Sequence, residues 1–258
     1  MKHLHWLLGM LICLGLFSGC QTPVAEETPS QPTETPTQTA TITATIDWFP
    51  ATATATPRPT QPVEPTQEMR PGIGAVLVDN LLAETAAWRT GNFTAGNITL
   101  VNNTLTLAIQ QPKAALLSLE QKNILRNFNL ETRVNVNMCR MNDVYGILVH
   151  AASEYNYYRL LVNCQGNVRA ERVRDGTTTL MQDWTPSGLP PGAPLDVELG
   201  VWMVGSEIRF FANNALVFSV KDPVFKEGTV GVFARADSDS PVTVTFSEMK
   251  VSEVNIVP

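Results

Sequence analysis

The sequence predicts an all-β domain, a two-sheet antiparallel β-sandwich or a barrel, standing behind a disordered stalk. Three observations predict it. Beyond Val76 the apolar residues recur with a period of two rather than 3.6, Gly and Asn punctuate them at short spacing, and nearly every gap is too short for a crossover helix. Asp79 to Trp88 alone suits a helical turn or two. Thr99 to Val101 and Leu105 to Ile109 form a hairpin across Asn102-Asn103, residues that tolerate positive φ. Further strands are expected at Phe128–Met138, Val144–Ala152, Tyr157–Cys164, Val168–Arg174, Leu195–Met203, Ile208–Phe211, Ala215–Val220, Thr229–Ala234 and Val242–Val251. Within one of them, Tyr158, Leu160 and Val162 mark a core face, and Tyr157, Arg159 and Asn163 the opposite face. A sandwich of this size buries several thousand Å² of apolar surface at about 25 cal/mol per Å², so its stability needs no metal.

The 258-residue chain opens with Lys2 and two histidines, followed by an apolar run from Leu4 to Phe17. That run is too short to cross about 30 Å of hydrocarbon as a stable helix. Phe17-Ser18-Gly19-Cys20 then resembles the lipobox of bacterial lipoproteins, with Phe17 where Leu is usual and Leu16 one place early. The resemblance implies removal of residues 1–19 and lipidation of Cys20. Acyl chains at about 0.8 kcal/mol per buried methylene would hold the protein to the bilayer. The expected location is the outer face of the cytoplasmic membrane, with the domain extracellular.

From Gln21 to about Arg70 the chain is dominated by Thr and Pro, too polar to offset the ordering cost of about 1–2 kcal/mol per residue. Residues 20–75 are therefore expected as a lipidated, disordered stalk, with the domain at 76–258. In the polyproline limit the stalk reaches on the order of 150 Å. Trp48 and Phe49 interrupt its polarity and suit a membrane interface or a wall polymer.

The net charge is −6, and no Lys/Arg cluster stands out; Arg169 to Arg174 includes Glu171 and apolar residues. A nucleic-acid partner needs a concentrated positive footprint and is disfavoured. With Cys13 in the leader and Cys20 lipidated, Cys139 and Cys164 are the pair left in the domain. Export favours a disulfide between them. A simple meander, however, places them on strands flanking a shared neighbour, about 10 Å apart, and bridging then requires the chain to bend or both residues to project beyond the sheet.

The order Tyr145-Gly146-Ile147-Leu148-Val149-His150-Ala151, Tyr157-Tyr158-Arg159-Leu160-Leu161-Val162 and Val168-Arg169-Ala170-Glu171-Arg172 resembles the central strands of concanavalin A-like sandwich domains. Leu195 to Leu199, Ile208 to Asn214, Val217 to Val220, Gly228 to Ala234 and Val244 to Phe246 are similar to the closing half of that fold. Laminin-G-like modules and the 3-keto-disaccharide hydrolase-like domain share the pattern. It covers nearly the whole domain in core and turn residues, so it implies a jelly-roll sandwich and says little about activity.

Catalytic constellations are sparse. His150 is the one histidine beyond the leader, set among neutral neighbours, and no Gly-x-Ser-x-Gly is present. Glu248-Met249-Lys250-Val251-Ser252-Glu253 has the spacing of a glucanase carboxylate motif, but Lys250 stands where the central Asp belongs. Asp237 and Asp239 share a loop and offer oxygen ligands for calcium, and no other cofactor is expected. Exposed aromatics remain, since sugar rings stack on them. Tyr145, Tyr155 and Tyr157 fall around one hairpin, with His150 on the same strand as Tyr145, Arg159 and Arg172 near enough to donate, and Trp184 in a loop at one end. Trp88 and Trp202 are expected in or beside the core. The expectation is a non-catalytic surface module that binds a carbohydrate or wall glycan; the alternative is a protein–protein adhesion or scaffold module, with a glycoside-processing enzyme third.

Overall fold

The computed structural model describes residues 69–239 and 241–256. Cys20, Trp48 and Phe49, with the leader and most of the stalk, lie outside the described residues. The strands are β1 Ile73–Val78, β2 Gly91–Phe93, β3 Gly96–Val101, β4 Thr104–Ile109, β5 Ala115–Leu119, β6 Phe128–Met138, β7 Val144–Ser153, β8 Asn156–Asn163, β9 Asn167–Arg174, β10 Thr177–Pro186, β11 Leu195–Val204, β12 Glu207–Ala212, β13 Ala215–Lys221, β14 Thr229–Arg235 and β15 Val242–Val254. Two 3-10 turns, Leu81–Ala83 and Thr85–Ala87, occupy the stretch expected to be helical; Asn80 caps the first by accepting the Leu82 N–H.

The strands form a nine-stranded and a six-stranded sheet. The larger runs β13-β12-β11-β6-β15-β4-β3-β2, with β1 added along β15, and the smaller runs β10-β9-β8-β7-β14-β5. Every pairing is antiparallel. The sheets pack face to face around one apolar core that includes Leu107, Val134, Tyr145, Ile147, Leu160 and Phe246. Local turns behave as the residues dictate: Asn102 and Asn103, and likewise Asn213 and Asn214, all adopt positive φ, which matches the right-handed twist of the hairpins they close.

Pairing over longer distances departs from a simple meander. β6 does not pair with β7, its successor in sequence; it lies between β11 and β15 in the larger sheet, whereas β7 lies between β8 and β14 in the smaller. Cys139, just past β6, and Cys164, just past β8, therefore belong to opposite layers. They are joined as a disulfide, with Cα atoms 5.8 Å apart. The 10 Å spacing across a shared neighbour does not arise, because no strand stands between them.

The first strand, β1, begins at Ile73, and the residues just before it dock on the larger sheet. The Trp202 indole donates to the Pro71 carbonyl at 3.0 Å, and Arg209 donates to the Met69 carbonyl at 2.8 Å. The Arg70 guanidinium lies 4.0 Å from the centre of the Phe211 ring and pairs with Glu131. Trp202 is thus covered by this lead-in segment on the outer side of the sheet, while Trp88 lies in the core and donates to the Leu81 carbonyl.

In β15 the inward positions are Val242, Val244 and Phe246, then Met249 and Val251. A register shift between Ser247 and Lys250, with Glu248 at φ 50°, inserts the extra residue that changes the parity. Glu248 is consequently an exposed partner of Arg133, at 2.8 Å, and not a member of a carboxylate pair.

Candidate functional site

The outer face of the six-stranded sheet is where chemistry-bearing side chains converge. Antiparallel register lines up Leu119, Gly231, Leu148, Arg159, Glu171 and Leu180 across all six strands. A neighbouring row holds Leu117, Phe233, Gly146, Leu161 and Arg169. Leu148, Leu161, Val173, Tyr157 and Phe233 form a buried apolar floor, with Leu117, Leu119 and Trp184 packed at its sides. Gly146 and Gly231 have no room for a side chain: a Cβ would meet the Leu160 carbonyl oxygen at 2.0 Å or the Ser118 carbonyl oxygen at 2.6 Å. The face is lowest at these glycines.

A charged triad stands on that floor. Arg159 donates through Nε to one carboxylate oxygen of Glu171, and Arg169 Nε lies 3.0 Å from the other. The Arg159 guanidinium lies 5.4 Å from the Phe233 ring centre, and that of Arg169 5.5 Å from Trp184. Glu171 is nearly covered, its side chain 6% exposed, whereas Arg169 keeps 28%. Burial pushes the Tyr157 hydroxyl above the ordinary tyrosine value, opposed by the neighbouring Arg159. At the edge of this face, a cleft of about 740 Å³ is lined by Leu119, Ala151, Ser153, Glu154 and Gly228 among others. The Glu120 carboxylate bordering it is occupied by the Lys122 and Asn123 N–H groups and the Thr229 hydroxyl.

The sequence-predicted cluster is split by this geometry. Tyr157, Arg159 and Trp184 share the outer face, although Trp184 sits on edge strand β10 rather than in a loop. Tyr145 is 1% exposed and faces the core between the sheets, its hydroxyl without a hydrogen-bond partner and its pKa pushed up by burial. Strand parity explains the split, since residues 145 and 158 point inward where 157 and 159 point outward. Tyr155 is exposed in the β7–β8 turn, beside Gly176.

Arg172 also points to the inner side, at the end of the sandwich. It pairs with Asp222, which accepts from the Tyr158 hydroxyl at 2.8 Å; that hydroxyl in turn accepts from the Phe225 N–H at 2.9 Å. His150 is fully buried and has no access to a ligand. Its Nδ1 lies 3.1 Å from the Phe225 carbonyl oxygen and its Nε2 3.0 Å from that of Arg126, so the ring ties together the two loops that precede β6 and β14. Burial lowers its pKa, against the raising influence of both carbonyls and Glu227.

Asp237 pairs with Arg235 at 2.7 Å, and its backbone N–H and that of Ser238 donate to buried Asp143. Among the described residues, no group of three or more His, Cys, Asp or Glu side chains is placed to hold a metal ion.

Glu171, Arg169, Phe233 and Leu119 are the members that sequence reasoning missed. The alternation of β9 puts Arg169, Glu171 and Val173 on one face, a signal that becomes usable once Arg159 is known to stand opposite Glu171.

No protein-family model matches the chain, and no curated protein matches it. Solved structures do. A protein of unknown function with galectin-like fold from Bacillus subtilis matches with a TM-score of 0.54 at 14% identity, over 71% of this chain and 99% of that one. The β-glucanase of Bacillus licheniformis matches with a TM-score of 0.50 at 8% identity, over 67% and 94%. A structure titled native glycosidic hydrolase matches with a TM-score of 0.50 at 11% identity, over 68% and 93%. At such identities the likeness shows the fold alone: this chain carries a galectin-like, concanavalin-like jelly-roll β-sandwich.

Proposed function

We propose that this protein is a surface lipoprotein that binds carbohydrate on the outer face of its six-stranded sheet. The observation that carries the reading is the placement of Trp184 beside the Arg159–Glu171–Arg169 triad on one face, over a floor that includes buried Tyr157. Sugars are bound by rings stacked on aromatic side chains and by hydroxyls paired with fixed polar groups, and a shallow face admits a chain rather than enclosing a small molecule. The fold is one that a β-glucanase and a glycosidic hydrolase also use, which is fold-level support only. Binding holds the domain to an extracellular or wall glycan, while acylated Cys20 holds the other end of the chain to the outer face of the cytoplasmic membrane.

Screening the purified full-length chain on an array of polysaccharides tests the binding half, with Trp184→Ala as the site variant. Capture of at least one glycan, weakened about tenfold by the variant with the fold intact, supports it. Capture unchanged by Trp184→Ala moves the site elsewhere, and absence of any glycan binding rejects the reading. Cys20→Ala tests the anchor: the protein is expected to leave the membrane fraction or to accumulate unprocessed, and unchanged fractionation and mobility reject lipidation.

A further inference from the structure

Resting on that reading, we infer that the face selects an acidic glycan, one bearing carboxylate or sulfate groups, over its neutral counterpart. A neutral sugar hydroxyl both donates and accepts, so protein sites that read it usually present both kinds of group. Here Glu171, the triad's one acceptor group, is withdrawn from solvent, its side chain 6% exposed, with one oxygen accepting from Arg159 and the other in ion-pair contact with Arg169. What remains at the centre is donors. Arg159 spends Nε on Glu171 and a second nitrogen on the Thr178 hydroxyl at 3.4 Å. The Arg169 Nε meets Glu171 as an ion pair without a hydrogen bond, and its guanidinium, on a side chain 28% exposed, lies 5.5 Å from the Trp184 ring centre. A guanidinium with free terminal N–H groups matches the planar, acceptor-only geometry of a carboxylate.

Charge points the same way. The triad holds two cations and one anion, hence a net positive centre, in a chain whose formal charge is −6. Asp183, next to Trp184 in β10, accepts the Trp184 N–H at 2.8 Å through one carboxylate oxygen. Leu148, Leu161 and Phe233 exclude water beneath the triad, which strengthens a charge-assisted contact made above it.

The test uses the full-length chain and a panel of acidic oligosaccharides: oligogalacturonate with its methyl ester, hyaluronan with its methyl ester, and keratan sulfate with its desulfated form. At least one acidic member is expected to bind about 10- to 100-fold more tightly than its neutral partner, and the preference should shrink as salt rises. Arg169→Gln is expected to erase the preference, and Arg169→Lys to restore part of it. Arg133→Gln, on the outer side of the opposite sheet, should leave it unchanged. Circular dichroism and the unfolding midpoint confirm that each variant folds. Equal affinity for an acid and its neutral partner overturns the inference, as does failure of every acidic member to bind; if neutral glycans are captured meanwhile, the carbohydrate reading survives without it. Equal capture of polyglutamate overturns it by showing attraction to any polyanion. If nothing on the panel or the wider array binds, both readings fall together.

Discussion

Cys139 leaves the last residue of a strand in the nine-stranded sheet and Cys164 leaves a strand in the six-stranded sheet, and the bond between them joins the two layers at one end of the sandwich. Next to it, the buried Asp143 carboxylate accepts from the backbone of Arg140, Asp237 and Ser238, and the Asp143 carbonyl accepts the Cys164 N–H. One end of the domain is thereby fixed covalently and by hydrogen bonds.

Removing that bond is expected to cost stability chiefly by freeing the unfolded chain. With the cysteines 25 positions apart in sequence, loop closure predicts a loss of about 3 kcal/mol for the Cys139→Ser, Cys164→Ser double variant. Urea unfolding of the oxidised protein and the variant measures it. An unchanged midpoint would mean that the bond is absent in solution or contributes nothing.

Two buried tyrosines should answer differently to loss of the hydroxyl. Tyr158 bonds both Asp222 and the Phe225 N–H, so Tyr158→Phe leaves buried groups without partners and is expected to cost about 1–3 kcal/mol. The Tyr145 hydroxyl has no partner, and Tyr145→Phe should change stability by no more than about 0.5 kcal/mol or raise it. Equal losses at the two sites would contradict this contrast.

His150 makes stability depend on pH. Its folded pKa lies below the ordinary 6.5, so between the two values the unfolded chain binds more protons than the folded one. The contribution is complete above about pH 6.5 and is lost as pH falls through the folded value. The denaturation midpoint should therefore drop between about pH 7.5 and pH 5.5, and His150→Gln should flatten that part of the profile. A midpoint that rises on acidification in this window would reverse the assignment.

The lead-in segment is expected to behave as part of the domain. A chain beginning at Val76 loses the Pro71–Trp202, Met69–Arg209 and Arg70–Phe211 contacts, and should be less stable by about 2 kcal/mol or more than one beginning at Thr66. Equal midpoints for the two chains would show that residues 69–75 only rest on the sheet.

Strand-by-strand, much of the domain is legible in the sequence. Phe128–Met138 matches β6 end to end, the Asn-Asn hairpins lie where their tolerance of positive φ puts them, and most other strands agree within a residue or two. The strands left out have weak local signals. β1 is a largely exposed strand with two register irregularities, β10 is a Thr-rich edge with an irregular register, β2 is three residues long, and β5 lies among alanines and leucines with no clear alternation.

What the sequence determined by itself is therefore the all-β class and the alternation within each strand, because side chains on an extended backbone must point to opposite sides in turn. In β8 it also picked the inner side, since Tyr158, Leu160 and Val162 lie in the core and Tyr157 on the outer face, but it did not do so in every strand. In β7, Val144 and Leu148 are as buried on one side as Tyr145 and Ile147 on the other, so apolar character cannot distinguish the faces. Only the tertiary structure decided that Arg169, Glu171 and Trp184 join Tyr157 and Arg159 on the outer face, that Tyr145 and Arg172 turn inward, and that Cys139 and Cys164 meet across the layers. The physical reason is that strand pairing joins residues far apart in the chain: β6 finds its partners in β11 and β15, and nothing local to β6 encodes that choice.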